Sequence, residues 1–94
     1  NMLNPIPGTP MEKHESLAVE EMQRIIAVYR FILPDSFIRL AGGRGLMDDK
    51  GRACFQSGAN AAISGDMLTT AGITVEKDMR LLEELDYKIK PFNL

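Results

Sequence analysis

Extended apolar runs alternate with helical patterns along the chain, and this alternation constrains the fold more than any other feature. The apolar runs cover residues 1–6, 36–41 and 60–64. Strands that are joined through helices lie parallel, with right-handed crossovers. The order therefore predicts an α/β fold, a β-α-β-α-β-α parallel unit in which residues 1–94 form a single domain.

The first helical pattern has a clear apolar face and clear ends. Ser16 is the expected N-cap, and Pro34 is expected to stop the helix. The apolar positions recur at helical spacing, at Met22, Ile25, Ile26, Tyr29, Ile32 and Leu33. The opposite face, expected to meet water, carries Glu20, Gln23, Arg24 and Arg30.

The two later helices are shorter. Asp48 or Asp49 is expected to open the middle helix, with Gly58 as the residue that follows its end. Thr74 is the expected cap of the last helix. Its predicted buried stripe is Met79, Leu82 and Leu85. Residues 68–73 are expected to form a loop, and residues 87–94 an extended tail or short strand.

Charge and composition argue against several classes of protein. The net charge of -2 favours neither nucleic acid nor an anionic membrane as partner. No apolar run is long enough to span a bilayer, and no signal peptide is apparent, so we expect a cytoplasmic protein. The single cysteine, Cys54, excludes an intramolecular disulfide and is expected to be a small buried residue on a helix. His14 lies in a polar stretch and is expected at the surface.

An arginine interrupts the second apolar run. Residues alternate faces in a strand, so Phe37, Arg39 and Ala41 share one face, and Ile38 and Leu40 share the other. If Ile38 and Leu40 face the helices, Arg39 points the opposite way, into the interior of a barrel. A buried guanidinium needs a compensating anion or ligand. Two interpretations follow: an ion pair with a carboxylate of a neighbouring strand, or a charge that grips a bound group.

The residues after this run carry no recognisable phosphate motif. Gly42 and Gly43 allow a close backbone approach or a tight turn. The stretch "GGRG" lacks the spacing of a dinucleotide fingerprint and the lysine of a P-loop. No Ser/His/Asp arrangement is available either, because the only histidine lies outside any predicted strand end.

Several blocks of the chain resemble the carboxyl-terminal part of the biotin synthase family of radical S-adenosylmethionine enzymes. The most specific block is "IRLAGGR", at residues 38–44. The others are "NML" at 1–3, "GTP" at 8–10, "IIAVYRFILP" at 25–34, "GAN" at 58–60, "SGD" at 64–66 and "LTT" at 68–70. The resemblance implies that the chain is about strands six to eight, with their helices, of a (β/α)₈ TIM-type barrel.

The resemblance also implies a function for the longer parent protein. Enzymes of this family insert sulfur into dethiobiotin to form biotin, using S-adenosylmethionine, a [4Fe–4S] cluster and a [2Fe–2S] cluster. Arg39 matches an arginine ligand of the [2Fe–2S] cluster. Asn1 matches an asparagine close to S-adenosylmethionine and dethiobiotin, and Met2 and Asn4 match positions beside the nucleoside.

The isolated chain is expected to be inactive. The C-x-x-x-C-x-x-C motif of the [4Fe–4S] cluster is absent, and Cys54 matches no cluster ligand. We therefore expect a fragment that binds no cofactor by itself and forms a homodimer through its exposed strand edges. Many relatives have serine at the position of Ala41 and glutamate at that of Gly45. A biotin synthase-like paralogue therefore remains an alternative for the parent protein.

Two further alternatives remain. The chain could be a self-associating structural or interaction module without catalysis. It could also be a small α/β domain with an ordinary buried arginine–carboxylate pair. The residues that precede it in the parent sequence would separate the first of these from the enzyme.

Overall fold

The computed structural model describes residues 1–66 and 72–90 of the chain. Two short parallel strands and three α-helices lie in these ranges. The helices are α1 (Val19–Ile32), α2 (Arg52–Gln56) and α3 (Val75–Glu84), and the strands are β1 (Arg39–Leu40) and β2 (Ala61–Ala62). A 3₁₀ helix at Arg44–Leu46 follows β1. No helix among the described residues is long and apolar enough to cross a membrane.

The two strands pair in parallel, as predicted, through a helical crossover. Arg39 lies opposite Ala61, and Leu40 lies opposite Ala62. The pairing continues slightly beyond the strands, because the Ile63 amide donates to the Leu40 carbonyl at 3.0 Å. The predicted positions of the second and third strands are therefore confirmed, although the regular parts are short.

The predicted first strand is wrong. Residues 1–6 form no strand, and their one backbone bond to the sheet region runs from the Met2 amide to the Gly42 carbonyl, at 2.7 Å. Proline has no N–H group to donate to a ladder; Pro5 lies within this segment and Pro7 directly follows it. The described order is therefore α-β-α-β-α, preceded by a segment that touches the end of β1.

The core lies between the sheet and the helices. Its buried members are Met2, Met22, Ile26, Ile38, Leu40, Met47, Cys54, Phe55 and Ala59. Cys54 is fully buried on α2, so its predicted role as a small core residue is confirmed. His14 is exposed, as expected.

Helix α1 differs from its prediction at the start and on its outer face. It begins at Val19 with no side-chain cap, so Ser16 is not its N-cap. Glu20 and Glu21 lie in the first turn instead, where carboxylates interact favourably with the helix dipole. The apolar face is buried only in its first half, because Ile32 is largely exposed. The end before Pro34 is confirmed.

Arg30 was expected to meet water, and that expectation is wrong. Its Nε donates to the Gly58 carbonyl at 3.0 Å. Its Nη1 lies 2.8–3.0 Å from the carbonyl oxygens of Leu33, Pro34 and Ser36. The carbonyls at the end of a helix have no partner within the helix, and Arg30 supplies one. It thereby joins the end of α1 to the segment that enters β2.

Thr74 caps α3 as predicted, but α2 begins at Arg52 with Gly51 as its N-cap and no side-chain cap bond, so neither Asp48 nor Asp49 is its N-cap. The Asp49 carboxylate accepts hydrogen bonds from the amides of Gly51 and Ala53, both at 2.9 Å. Gly58 follows the end of α2 with a φ of +128°, a conformation that glycine adopts readily. The Thr74 hydroxyl accepts a bond from the Lys77 amide at the start of α3.

The predicted stripe of α3 is partly wrong. Leu82 and Leu85 pack against the core, but Met79 is exposed and Asp78 is buried instead. Asp78, Leu82 and Leu85 are spaced i, i+4 and i+7, so they lie on one helical face. The loop predicted at 68–73 lies mostly outside the described residues, as does the end of the tail.

Candidate functional site

A pocket of about 230 Å³ lies between α1, the carboxyl end of β1 and the first residues of the chain. Its apolar wall includes Met22, Ile26 and Tyr29 of α1. Its polar groups come from Asn1, Arg39 and Arg44, and from the backbone of residues 41–42. A largely apolar pocket with a few convergent polar groups is typical of a small-molecule site.

Arg39 is exposed on the face of β1 that turns away from the core. Ile38 and Leu40 are buried, whereas Phe37 on the other face is 65% exposed. The predicted alternation is therefore confirmed. The guanidinium of Arg39 forms no hydrogen bond or ion pair with any described residue. In this chain Arg39 is thus not the buried half of an ion pair.

Asn1 and Met2 lie beside the carboxyl end of β1, the strand that carries Arg39. The Asn1 Oδ1 accepts a hydrogen bond from the Gly42 amide at 2.8 Å. Met2 is buried, and its amide bonds to the carbonyl of the same glycine. Asn1, Met2 and Arg39 all line the pocket, whereas Asn4 does not. The structure therefore brings together three of the four residues that the sequence singled out.

The next glycine makes this approach possible. Gly43 has a φ of +88°, in the left-handed region. A Cβ atom on Gly43 would come within 2.5 Å of the Met2 Cβ and 2.8 Å of the Met2 carbonyl oxygen. The absence of a side chain at this position lets the first residues of the chain lie against the end of β1.

The buried arginine of this region is Arg44, and the sequence reasoning missed it. Arg44 is 3% exposed, and its fork meets the Asp78 carboxylate, with Nη1–Oδ1 at 2.7 Å and Nη2–Oδ2 at 2.5 Å. Its guanidinium carbon lies 5.9 Å from the centroid of the Phe55 ring. The signal that could have found it is Asp78, a carboxylate on the apolar face of a helix, which needs a cation nearby.

The pKa values of two titratable groups, Asp78 and Cys54, are shifted by their surroundings. Burial by itself raises the pKa of the Asp78 carboxyl, but hydrogen bonds from Arg44 and Ser64 and the charge of Arg44 outweigh it and lower the pKa. Burial, and to a lesser degree the Asp49 charge, raises the pKa of the Cys54 thiol. Asp78 is therefore ionised at neutral pH, and the thiol is protonated.

The described residues contain no group of three or more histidine, cysteine or carboxylate side chains that could hold a metal ion. Cys54 lies in the core and does not line the pocket. The side chains with donor groups at the pocket are those of Asn1, Tyr29, Arg39 and Arg44, of which Arg44 is paired with Asp78.

The chain belongs to the family described as the Biotin and Thiamin Synthesis associated domain, whose model matches residues 1–88. The matched range includes all the described helices and strands, and it includes Arg39.

Several curated relatives of this chain are named biotin synthase. The chain is 67% identical over 90 residues to biotin synthase of Brachyspira hyodysenteriae, covering 96% of this chain and 27% of the relative. It is 57% identical over 90 residues to biotin synthase of Akkermansia muciniphila, covering 96% and 28%. Biotin synthase 2 of Corynebacterium diphtheriae is 58% identical over 89 residues, covering 95% and 27%.

The chain thus spans slightly more than a quarter of the length of these relatives and is similar to their carboxyl-terminal region. The resemblance inferred from the sequence blocks is confirmed.

Proposed function

We propose that this chain is the carboxyl-terminal part of a biotin synthase-type enzyme, a sulfurtransferase that converts dethiobiotin to biotin. In the parent polypeptide, by which we mean the longer protein containing this chain, its strands and helices form the carboxyl-terminal part of a (β/α)₈ barrel. The observation that carries the proposal is that Arg39, which has no hydrogen-bond or ion-pair partner among the described residues, lines the same pocket as Asn1.

The residues present fit a role at a cofactor. Arg39 is the exposed residue of β1, and Ala41, two positions further on, is small. No described carboxylate neutralises it, so the guanidinium is available to an external ligand. We propose that Arg39 is a ligand of the [2Fe–2S] cluster of the parent. When bound, that cluster supplies the sulfur that enters the product.

The proposed role of Asn1, Met2 and Asn4 is to bind and orient S-adenosylmethionine and dethiobiotin. Asn1 is held by the Gly42 amide through its Oδ1, which leaves its side-chain NH₂ group as a donor. We assign this amide to S-adenosylmethionine and dethiobiotin. Met2 and Asn4 are assigned to the nucleoside side, with Met2 contributing through its position at the pocket and Asn4 through the half-buried segment that follows.

The chain by itself is proposed to be catalytically inactive and free of clusters. The sequence has one cysteine, which is buried, and no C-x-x-x-C-x-x-C motif for the [4Fe–4S] cluster. The parent is proposed to be cytoplasmic and homodimeric, with dethiobiotin as its substrate and neither nucleic acid nor membrane as a partner.

The test uses the parent polypeptide, reconstituted anaerobically with iron and sulfide. We expect two clusters per chain and formation of biotin from dethiobiotin and S-adenosylmethionine. An Arg39→Met variant should change the [2Fe–2S] absorption spectrum. Arg24→Met, which removes an exposed arginine from α1, serves as its control and should behave as wild type. A parent that holds one cluster and leaves dethiobiotin unchanged would contradict the proposal.

A second candidate function is a self-associating module without catalysis. One observation favours it: large apolar side chains are exposed, with Phe31 at 90% and both Ile32 and Phe37 at 65%. Exposed apolar surface of this kind marks an interaction site or a face covered by more chain. Light scattering on the 94-residue chain tests the module, which a monodisperse monomer would contradict. A C-x-x-x-C-x-x-C motif in the residues that precede the chain in the parent would favour the enzyme over the module.

A further inference from the structure

Arg44 connects four separate parts of the molecule. Besides the Asp78 carboxylate on α3, its Nη1 donates to the Lys50 carbonyl at 3.1 Å, and its Nη2 donates to the Ile63 carbonyl at 2.9 Å. Lys50 precedes α2, and Ile63 follows β2. The side chain therefore ties the segment after β1 to the elements on three sides of it.

The segment that Arg44 holds has few other means of staying in place. Between β1 and Arg44 stand Ala41, Gly42 and Gly43, two of which have no side chain. Glycine loses more conformational freedom on folding than any other residue, so such a segment needs an external anchor. Its anchors among the described residues include the Gly42 amide bond to the Asn1 Oδ1, the Met2 amide bond to the Gly42 carbonyl, and the guanidinium of Arg44.

Two residues next to the Arg44 side chain, Lys50 and Gly51, have backbone φ angles in the positive region. Gly51, at a φ of +95°, has no Cβ, and one placed there would lie 3.0 Å from the Arg44 Cδ. Lys50 is a non-glycine residue with a φ of +55°, and its carbonyl accepts one of the Arg44 bonds. Non-glycine residues at positive φ cost free energy and persist only where neighbouring contacts hold them.

A buried ion pair is weak evidence for stability, because apolar residues of the same volume often stabilise a fold as well or better. The Nε of Arg44 is also buried without a partner among the described residues, which is a further cost. A role in fixing geometry accounts for retaining the pair.

We propose that Arg44 and Asp78 are a positioning pair that holds the segment 41–44, and through it Arg39 and Asn1, in the geometry that the cofactor and substrate require. Arg39 and Arg44 line the same pocket. This inference rests on the proposed function, and it adds two residues that act through others and do not themselves touch the cluster.

The experiment uses the full-length parent polypeptide with its clusters reconstituted. The variants are Asp78→Asn, which removes the charge and keeps the shape, and Glu84→Gln as the matched control. Glu84 lies on the same helix and pairs with Arg52 at the surface. Two properties are measured: hydrogen–deuterium exchange of the amides of residues 42–47, and the visible absorption spectrum of the [2Fe–2S] cluster.

Asp78→Asn is expected to speed exchange at residues 42–47 at least tenfold and to shift the cluster absorption in the same direction as Arg39→Met, by a smaller amount. Glu84→Gln should change neither. If Asp78→Asn fails to fold, Arg44→Lys replaces it, because lysine keeps the charge but loses the two-pronged contact.

Three outcomes would overturn the inference. Unchanged exchange would show that the pair does not order the segment. Faster exchange with an unchanged cluster spectrum would reduce the pair to a structural role while the assignment of Arg39 stands. A wild-type parent without a [2Fe–2S] cluster would refute the proposed function together with the inference, and this result would be apparent before any variant is made.

Discussion

Arg44 and Asp78 stand 34 residues apart in the chain and meet fork to fork in the interior, with their closest nitrogen–oxygen distance at 2.5 Å. The pair joins the segment that follows β1 to helix α3. It links the geometry of the pocket to an element that does not line it.

Removing one partner of this pair should destabilise the fold strongly. Asp78→Asn leaves the Arg44 charge buried without a counter-ion, and we expect it to lower the free energy of unfolding by about 3 kcal/mol. Urea denaturation followed by circular dichroism measures this. The exposed pair of Arg52 and Glu84 provides the control, since Glu84→Gln should cost less than about 1 kcal/mol. Equal costs for the two variants would contradict the interpretation.

The pair should also make stability depend on acid pH. The pKa of Asp78 is lowered in the folded state, so its contribution is complete above the ordinary value of 3.8 and is lost as the pH falls through the lower folded value. Denaturation midpoints between about pH 6 and pH 2 should therefore fall less steeply for Asp78→Asn than for the wild type. Parallel curves for the two proteins would show that Asp78 does not carry this dependence.

A side chain at Gly43 should separate the first residues from β1. Gly43→Ala places a Cβ within 2.5 Å of Met2, in addition to the strain of a φ of +88°. Gly8→Ala is the matched control, because Gly8 has a φ of +84° with nothing within 4 Å. We expect Gly8→Ala to cost about 1 kcal/mol and Gly43→Ala at least about twice that. Similar melting temperatures for the two variants would argue against the Met2 contact.

Arg30 should contribute more to the stability of the fold than Arg24, which lies on the same helix. Arg30→Met leaves the carbonyls at the end of α1 and the Gly58 carbonyl without their donor, and we expect a loss of about 2 kcal/mol. Arg24 is exposed and bonds to no described residue, so Arg24→Met should change stability by less than about 0.5 kcal/mol. Thermal unfolding of both variants tests this, and equal melting temperatures would contradict it.

Local patterns in the sequence predicted much of the fold. The alternation of Ile38, Arg39 and Leu40 assigned the buried face of β1 correctly, because side chains in a strand alternate whatever lies beyond it. The caps at Thr74 and Gly58 were also predictable, since they depend on residues within one helical turn.

Features that depend on distant partners were not predictable in this way. Arg30 and Arg44 look like surface residues until the carbonyls and the carboxylate that they contact are placed, and these lie up to 34 residues away. The first segment has the composition of a strand but makes one ladder bond with its neighbour. The pocket residues Asn1, Met2 and Arg39 were named through resemblance, and the fold brings them together.

The central claim is that Arg39 binds the [2Fe–2S] cluster of the parent polypeptide. The most direct test compares the visible absorption spectrum of the reconstituted parent with that of Arg39→Met and of the control Arg24→Met. We predict a changed [2Fe–2S] spectrum for Arg39→Met alone, with the [4Fe–4S] cluster and the fold retained. A [2Fe–2S] spectrum identical to that of the wild type would contradict the claim, because a ligand cannot be replaced without altering the cluster it binds.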